Sequence, residues 1–339
     1  MLPVFGNRAR DLKLLLLAAC LVPALMGQGA AAARSEAEGS YLRAADHRIG
    51  EIAYRLAVRG ARFCPAPHPL TGLLFHHLDE YERDDRAVMV ERHGLDRGLG
   101  VLSVIAGSPA AEAGLRAGDV ILTVNGQPIR SDSTFAPPRA TPRRAVLEAA
   151  EAQVEEALRL GPAELSILRR SEAIPIRLGS APGCPVRIRL ARSNQTNAFA
   201  NGRYVTLTTA VLDFARSDDE VAVIVAHELA HNILAHPAHL KEQNVPRGLL
   251  RGFGANAAKV RATEEEADRL GISLVWAAGF DASAAIPFWR RFYERFDGPQ
   301  LFRTHPTLEG RERIIAETIA ALDASAQRPE LGKGTLTDR

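Results

Sequence analysis

Three kinds of feature are scarce in this chain of 339 residues, and each scarcity removes a class of protein. Net charge is nearly absent: 42 Lys and Arg stand against 40 Asp and Glu, for +2 overall. Residues 1–33, with Arg8, Arg10, Lys13 and Asp11, carry that whole surplus, so the remainder is formally neutral. No basic footprint for nucleic acid remains, and no nucleic-acid partner is expected. Long apolar runs are also missing. After Met26 no stretch approaches the roughly 20 residues that a membrane-spanning helix needs, which excludes a protein of repeated spans. Cysteine is limited to Cys20, Cys64 and Cys184, none placed beside a histidine that would make it a nucleophile.

What is present suffices for a real core, since 46% of residues are hydrophobic and the length allows two or three domains. Residues 1–33 read as a secretory signal: a basic start, an apolar run Leu14–Met26, then small residues through Ala33. Export to a periplasm-like compartment is the expectation. Leu17-Ala18-Ala19-Cys20 resembles a lipoprotein processing box, so a lipid anchor on Cys20, with peripheral membrane association, is the alternative. With Cys20 removed, Cys64 and Cys184 form an even pair in an oxidising compartment. They are candidates for a disulfide, against the alternative of two inert buried thiols.

The densest chemistry lies in Val223–Leu234, where His227-Glu228-Leu229-Ala230-His231 sits inside an apolar-periodic helix signal. Histidines four apart project from one helix face and can share one zinc ion, with Glu228 beside them to take a proton from water. Ser217-Asp218-Asp219-Glu220 supplies a cap and first-turn acids for that helix. Downstream, Thr263 and Glu266 have capping-box spacing and predict the start of a second helix, which can bring a carboxylate ligand to the metal. His236 comes nine residues after His227 with no preceding glycine, so it and His239 are poor ligand candidates.

HExxH followed by Glu264-x-x-x-Asp268 resembles the M48 metallopeptidases, a gluzincin family. Asn197-Ala198-Phe199-Ala200 and His305-Pro306 match further family stretches, so the likeness runs over residues 194–320. It implies one zinc ion per chain held by His227, His231 and Glu264, with Glu228 as general base. Asp268 would orient a ligand histidine. His305 would stabilise the oxyanion or occupy the open metal position, the latter giving a latent enzyme. Glu265 and Glu266 lie about 100° and 200° around the helix from Glu264 and are expected to face solvent.

A separate module precedes this one. Arg97-Gly98-Leu99-Gly100-Val101, then Ser108–Gly126 with its Gly turns and Asn125-Gly126, resembles a PDZ domain. The resemblance implies that backbone N–H groups around Gly98, Leu99 and Gly100 hold a C-terminal carboxylate, and that Val101–Val104 pairs with the incoming peptide. Arg143–Leu160, an amphipathic helix, would be the other wall. A spacer role, or a groove filled from within the chain, is the alternative.

The fold expected is α+β: a mostly helical zincin-type metallopeptidase domain with a small edge sheet, interrupted by a PDZ-like β-rich domain. The divisions are a signal at 1–33, an N-terminal segment at 34–80 packing on the peptidase part, the PDZ-like domain at 81–179, the M48-like domain at 180–325 and a flexible tail at 326–339. Within them, Glu51–Val58 predicts a strand. Tyr204–Thr209 predicts a strand at the cleft lip, Lys241–Lys259 a flap or plain connection, and Ala284–Phe296 a helix whose aromatics pack. His68, His76 and His77 read as ordinary histidines. The function expected is zinc-dependent endopeptidase action on extended or unfolded envelope proteins, with protein or peptide partners. A latent or non-catalytic zinc-containing chaperone or adaptor is the alternative.

Overall fold

This computed structural model describes residues 39–130, 144–245, 254–296 and 305–326. The leader with Cys20, the whole Pro-rich loop at Thr134–Pro142, the centre of the 241–259 segment and nearly all of the tail lie outside the described residues. The chain divides into two compact units, Met1–Ala45 and Asp46–Arg339. The described part of the first, residues 39–45, is helical, and the second holds the sheets and the remaining helices.

Residues 46–59 form a helix, α1, where alternation had predicted a strand. The buried positions are Ile49, Ile52, Ala53, Leu56 and Ala57, a helical stripe, whereas Tyr54 and Val58 are only half-buried. The period-two reading counted two residues that do not belong to the core face. Arg55 on α1 caps a distant helix end by donating to the carbonyls of Ala278 (2.7 Å) and Gly279 (2.9 Å). Strand β1 (His68–Leu70) pairs antiparallel with β8 (Ala181–Gly183). Beside that pair Cys64 and Cys184 are joined as a disulfide, Cα atoms 5.5 Å apart.

An antiparallel sheet follows, built from β2 (Leu73–His76), β3 (Leu99–Val104), β4 (Val120–Val124), β6 (Ala163–Arg169) and β7 (Glu172–Leu178) in the order β2-β3-β4-β6-β7. A short β5 (Gln127–Pro128) folds back on β4 through Asn125 and Gly126, both at positive φ, the turn that an Asn-Gly pair favours. Helix α2 (Arg83–His93) lies between β2 and β3, and α3 (Pro109–Glu112) between β3 and β4. Helix α4 (Ala145–Arg159) lays Leu147, Ala150, Val154 and Leu158 on Val101, Ile121, Leu165 and Ile167 of the sheet. Its opposite face carries acids: Glu148 pairs with Arg203 at 3.1 Å, Glu151 with Arg187 at 3.5 Å, and Glu151 also accepts from Tyr204. Those partners flank a second, three-stranded sheet.

That sheet is ordered β10-β11-β9, from β9 (Ile188–Ala191), β10 (Ala198–Ala200) and β11 (Val205–Thr208). β11 is its centre, parallel to β9 and antiparallel to β10, so both of its edges are taken. The strands left with an outer edge are therefore β10 and β9, not the Tyr204–Thr209 strand that the sequence suggested. Helices complete the unit: α5 (Thr209–Phe214), α6 (Asp218–Ile233), α7 (His236–Glu242), α8 (Gly254–Ala277), α9 (Ala285–Phe296) and α10 (Leu308–Ala326). Ser217 caps α6 by accepting from Glu220 N. Thr263, by contrast, is no cap. Helix α8 begins well before it, because Ala257 and Val260 are already buried, and the Thr263 hydroxyl donates back to Val260 O at 2.7 Å. The architecture is α+β, with helices dominating the C-terminal part.

Candidate metal centre

Helices α6 and α8 cross where Gly271 meets His227. A Cβ on Gly271 would lie 3.1 Å from His227 N and 3.2 Å from its Cα, so the missing side chain lets two backbones approach. This contact puts α8's carboxylates under α6's imidazoles. His227 Nε2 and His231 Nε2 are 3.3 Å apart, and Glu264 reaches them with different oxygens, Oε2 at 3.4 Å from His227 and Oε1 at 3.6 Å from His231. A tetrahedral zinc site with bonds of about 2.0–2.1 Å has ligand-to-ligand edges of roughly 3.3–3.4 Å. The imidazole pair has that spacing with the carboxylate close by, so the three residues could hold such an ion; His227 and Glu264 are buried and His231 nearly so.

The surrounding charges favour a cation at this point. Burial opposes charging of His227, yet Asp268 and Glu264 outweigh it and push its pKa up to about 10. Burial would raise the Glu264 carboxyl, but His305 and His227 hold it well below the usual range. His231 is pushed down to about 3, chiefly by burial. Glu228 is raised by burial, partly offset by His227. A positive charge among these acids is stabilised whether it arrives as a proton or as a metal ion.

Asp268 stands behind His227, Oδ1 lying 3.0 Å from Nδ1 but off the hydrogen-bond axis, so the contact is an ion pair rather than a good hydrogen bond. Its other oxygen accepts from Arg311 Nε at 2.8 Å. His305 Nδ1 lies 2.9 Å from Glu264 Oε2, so His305 touches the third candidate ligand. A cavity of about 210 Å³ opens beside this group, with Glu228 and His305 on its wall together with Ala198, Ile224, Phe288 and Phe292. The aromatics of α9 thus pack on one another and also line the cleft.

Three residues of this neighbourhood were not foreseen. Arg311, fully buried, stacks on Trp289 at 3.9 Å while it holds Asp268. An arginine six residues after His305 carries no spacing signal of its own. His236 sits 2.9 Å from His231, Nδ1 to Nδ1, and Glu266, expected only to face solvent, accepts from His236 at 3.0 Å. Glu265 does lie on the outer face, 3.7 Å from Arg269.

Gly98, Leu99 and Gly100 lie elsewhere and are buried. Gly100 pairs with His76 on one side and Val120 on the other, so β3 has no open edge at that residue. A Cβ on Gly98 would meet Ile121 O at 2.2 Å, which makes that glycine a packing requirement. Along the Val101–Val104 stretch expected to pair with an incoming peptide, one edge is already taken by β2. The cavity of this module, about 250 Å³, lies instead along β2 and α4, between Leu73, Val154 and Leu158 and the α1 residues Gly50 and Tyr54. His76 borders it, buried and hydrogen-bonded to Tyr81 at 2.8 Å, and His68 lies 3.6 Å from Glu155.

Comparison with known proteins agrees with this geometry. Residues 171–246 and 249–319 match the model of peptidase family M48, across all the elements that carry His227, His231, Glu264 and Asp268. The C-terminal part of this chain is thus similar to the M48 peptidases. Residues 100–136 match the PDZ domain model. A Vibrio cholerae protein named "Putative beta-barrel assembly-enhancing protease" is 31% identical over 160 residues, covering 38% of this chain and 33% of that protein. The beta-barrel assembly-enhancing protease of Escherichia coli K12 is 26% identical over 160 residues, with the same coverage. The mitochondrial metalloendopeptidase OMA1 of Schizosaccharomyces pombe is 27% identical over 154 residues, covering 38% of this chain and 45% of the relative. The match to the bacterial relatives thus spans about a third of their length. Among the described residues no helix is long and apolar enough to cross a membrane.

Proposed function

We propose that this chain is a zinc-dependent endopeptidase that cuts extended or unfolded proteins after export to the cell envelope, with its PDZ-like module tethering substrate or partner. The observation that carries the proposal is the close grouping of His227, His231 and Glu264 beside a cleft whose wall includes His227 and Glu228. Bound there, zinc would supply a Lewis acid that polarises the scissile carbonyl and eases ionisation of water.

The chain's own groups do the rest. Glu228 takes a proton from the attacking water and returns one to the leaving amine, and its raised pKa suits both directions. The β10 edge is the place for an extended substrate to add as a strand: Ala198 lines the cleft and Phe199 is exposed beside it. His305, on the cleft wall and against Glu264, is placed to meet charge developing on the carbonyl oxygen. A peptide tether would use the β2–α4 cavity. The relatives named for beta-barrel assembly make unfolded β-barrel proteins the first substrates to try.

The test compares wild type with Glu228→Gln for zinc content and for cleavage of an unfolded protein. Zinc in both, with the variant's rate lower by about 10²–10⁴-fold, is the expected result. A folded wild type without zinc would overturn the mechanism. The contact of His305 with Glu264 also supports a latent form as the second reading. His305→Ala tells them apart, since a group that aids turnover lowers the rate when lost, while a blocking group raises it.

A further inference from the structure

The two candidate ligand histidines are supported on their far nitrogens by separate systems. Behind His227 stand Asp268 and Arg311. Behind His231 stands His236, whose Nδ1 lies 2.9 Å from His231 Nδ1 and whose Nε2 lies 3.0 Å from Glu266 Oε2. His236 is 2% exposed, whereas the Glu266 carboxylate reaches the surface.

The hydrogen-bond directions follow from the ligand role. An imidazole that binds a metal through Nε2 keeps its proton on Nδ1. His231 therefore donates to His236 Nδ1, which must be unprotonated to accept. The remaining proton of His236 then sits on Nε2 and is donated to Glu266. One arrangement satisfies all three groups, and it holds only while His231 is a neutral ligand.

The backbone is bent to make this contact. Ala235 occupies the left-handed region at φ 53°, ψ 29°, a conformation unfavourable for a residue with a Cβ. It ends the α6 direction and starts α7 at once, which turns His236 back against His231, ring centroids 5.0 Å apart and planes at 74°. His239 N bonds to Ala235 O at 3.0 Å and holds the turn.

We infer that His236, braced by Glu266, is a positioning residue of the metal centre, which fixes the ring orientation and tautomer of His231. The inference rests on the zinc reading above. It explains why Glu266, on a different face of α8 from Glu264 and Asp268, is still part of the site.

The test measures zinc affinity by chelator competition, alongside thermal unfolding of the zinc-free protein, for wild type, His236→Ala, His236→Asn and Glu266→Ala. Asparagine keeps an acceptor near the Nδ1 position. His236→Ala should weaken zinc binding about 10–100-fold without lowering the zinc-free melting temperature, His236→Asn should recover most of the loss, and Glu266→Ala should cost about tenfold. Wild-type affinity in a folded His236→Ala protein would overturn the inference. So would equal losses in the Ala and Asn variants accompanied by a matching fall in zinc-free stability, the mark of a packing role. Should His236→Ala fail to fold, Glu266→Ala decides: weakened zinc with unchanged zinc-free melting supports the inference, and wild-type affinity overturns it. Failure of the wild type to bind zinc would be separate, since it removes the metal reading itself.

Discussion

Arg311 donates to Asp268 at 2.8 Å, and both side chains are almost wholly buried. The pair joins α10 to α8 directly behind the imidazole of His227. Without Arg311, Asp268 would face Glu264 with one positive neighbour fewer, and without Asp268 the guanidinium would keep only Glu264 at 3.5 Å as its carboxylate partner. Arg311→Met should therefore lower stability by about 3–5 kcal/mol, read from urea unfolding. Asp268→Asn should weaken zinc binding about 10–100-fold. A loss below about 1 kcal/mol for Arg311→Met would show that Trp289 and the remaining charges suffice.

Gly271 fixes the distance between the helices that supply the ligands. Gly271→Val would force atoms against the backbone of α6 at His227 and should cost about 1–3 kcal/mol. The same shift moves Glu264 relative to the imidazoles, so zinc affinity should fall further than the stability loss alone requires. Isothermal titration of the folded variant checks this, and unchanged affinity would mean that α8 can slide without opening the site.

Glu80, next to the β2–α4 cavity, carries a pH dependence. Burial pushes its carboxyl up to about 7, against the pull of Arg144 at 2.5 Å. A folded pKa above the unfolded value of 4.5 gives stability that is full below 4.5 and lost as pH rises through 7. Wild type should therefore lose stability relative to Glu80→Gln across that window, at up to about 1.4 kcal/mol per pH unit. Denaturant melts of both proteins between pH 4 and 8 (~0.5-unit steps) would show it. A pH-independent difference would mean that Glu80 stays ionised in its pair.

The Cys64–Cys184 bridge closes a loop of 120 residues that contains the whole PDZ-like sheet. Its reduction, or Cys64→Ser with Cys184→Ser, should lower stability by about 2–5 kcal/mol. Melting temperatures with and without reductant give the answer, and coincident curves would show that the β1–β8 pair holds the segment unaided.

The sequence by itself determined the metal-binding pattern and the module types. Histidines four apart on a helix share a face whatever surrounds them, and Glu264 and Asp268 obey the same local rule on α8. The Asn125-Gly126 turn was legible for the same reason, because only a few residue types tolerate positive φ. Patterns that local geometry underdetermines were misread. Ile52, Leu56 and their neighbours fit two periods at once, and burial chose the helix. Thr263 and Glu266 have the spacing of a cap, but buried residues upstream carried the helix past them.

Tertiary structure decided everything that depended on distant partners. Which strand offers an edge beside the cleft is settled by pairing across the chain: β11 is enclosed between β10 and β9, and of those two outer strands β10 has Ala198 on the cleft wall. Arg311 and His236 entered the site because helix packing delivered them, not because of their spacing from the motif. Glu266 became a partner of His236 through the left-handed turn at Ala235, a conformation that no residue pattern announces. Local periodicity fixes which side chains share a face, and only packing fixes what that face meets.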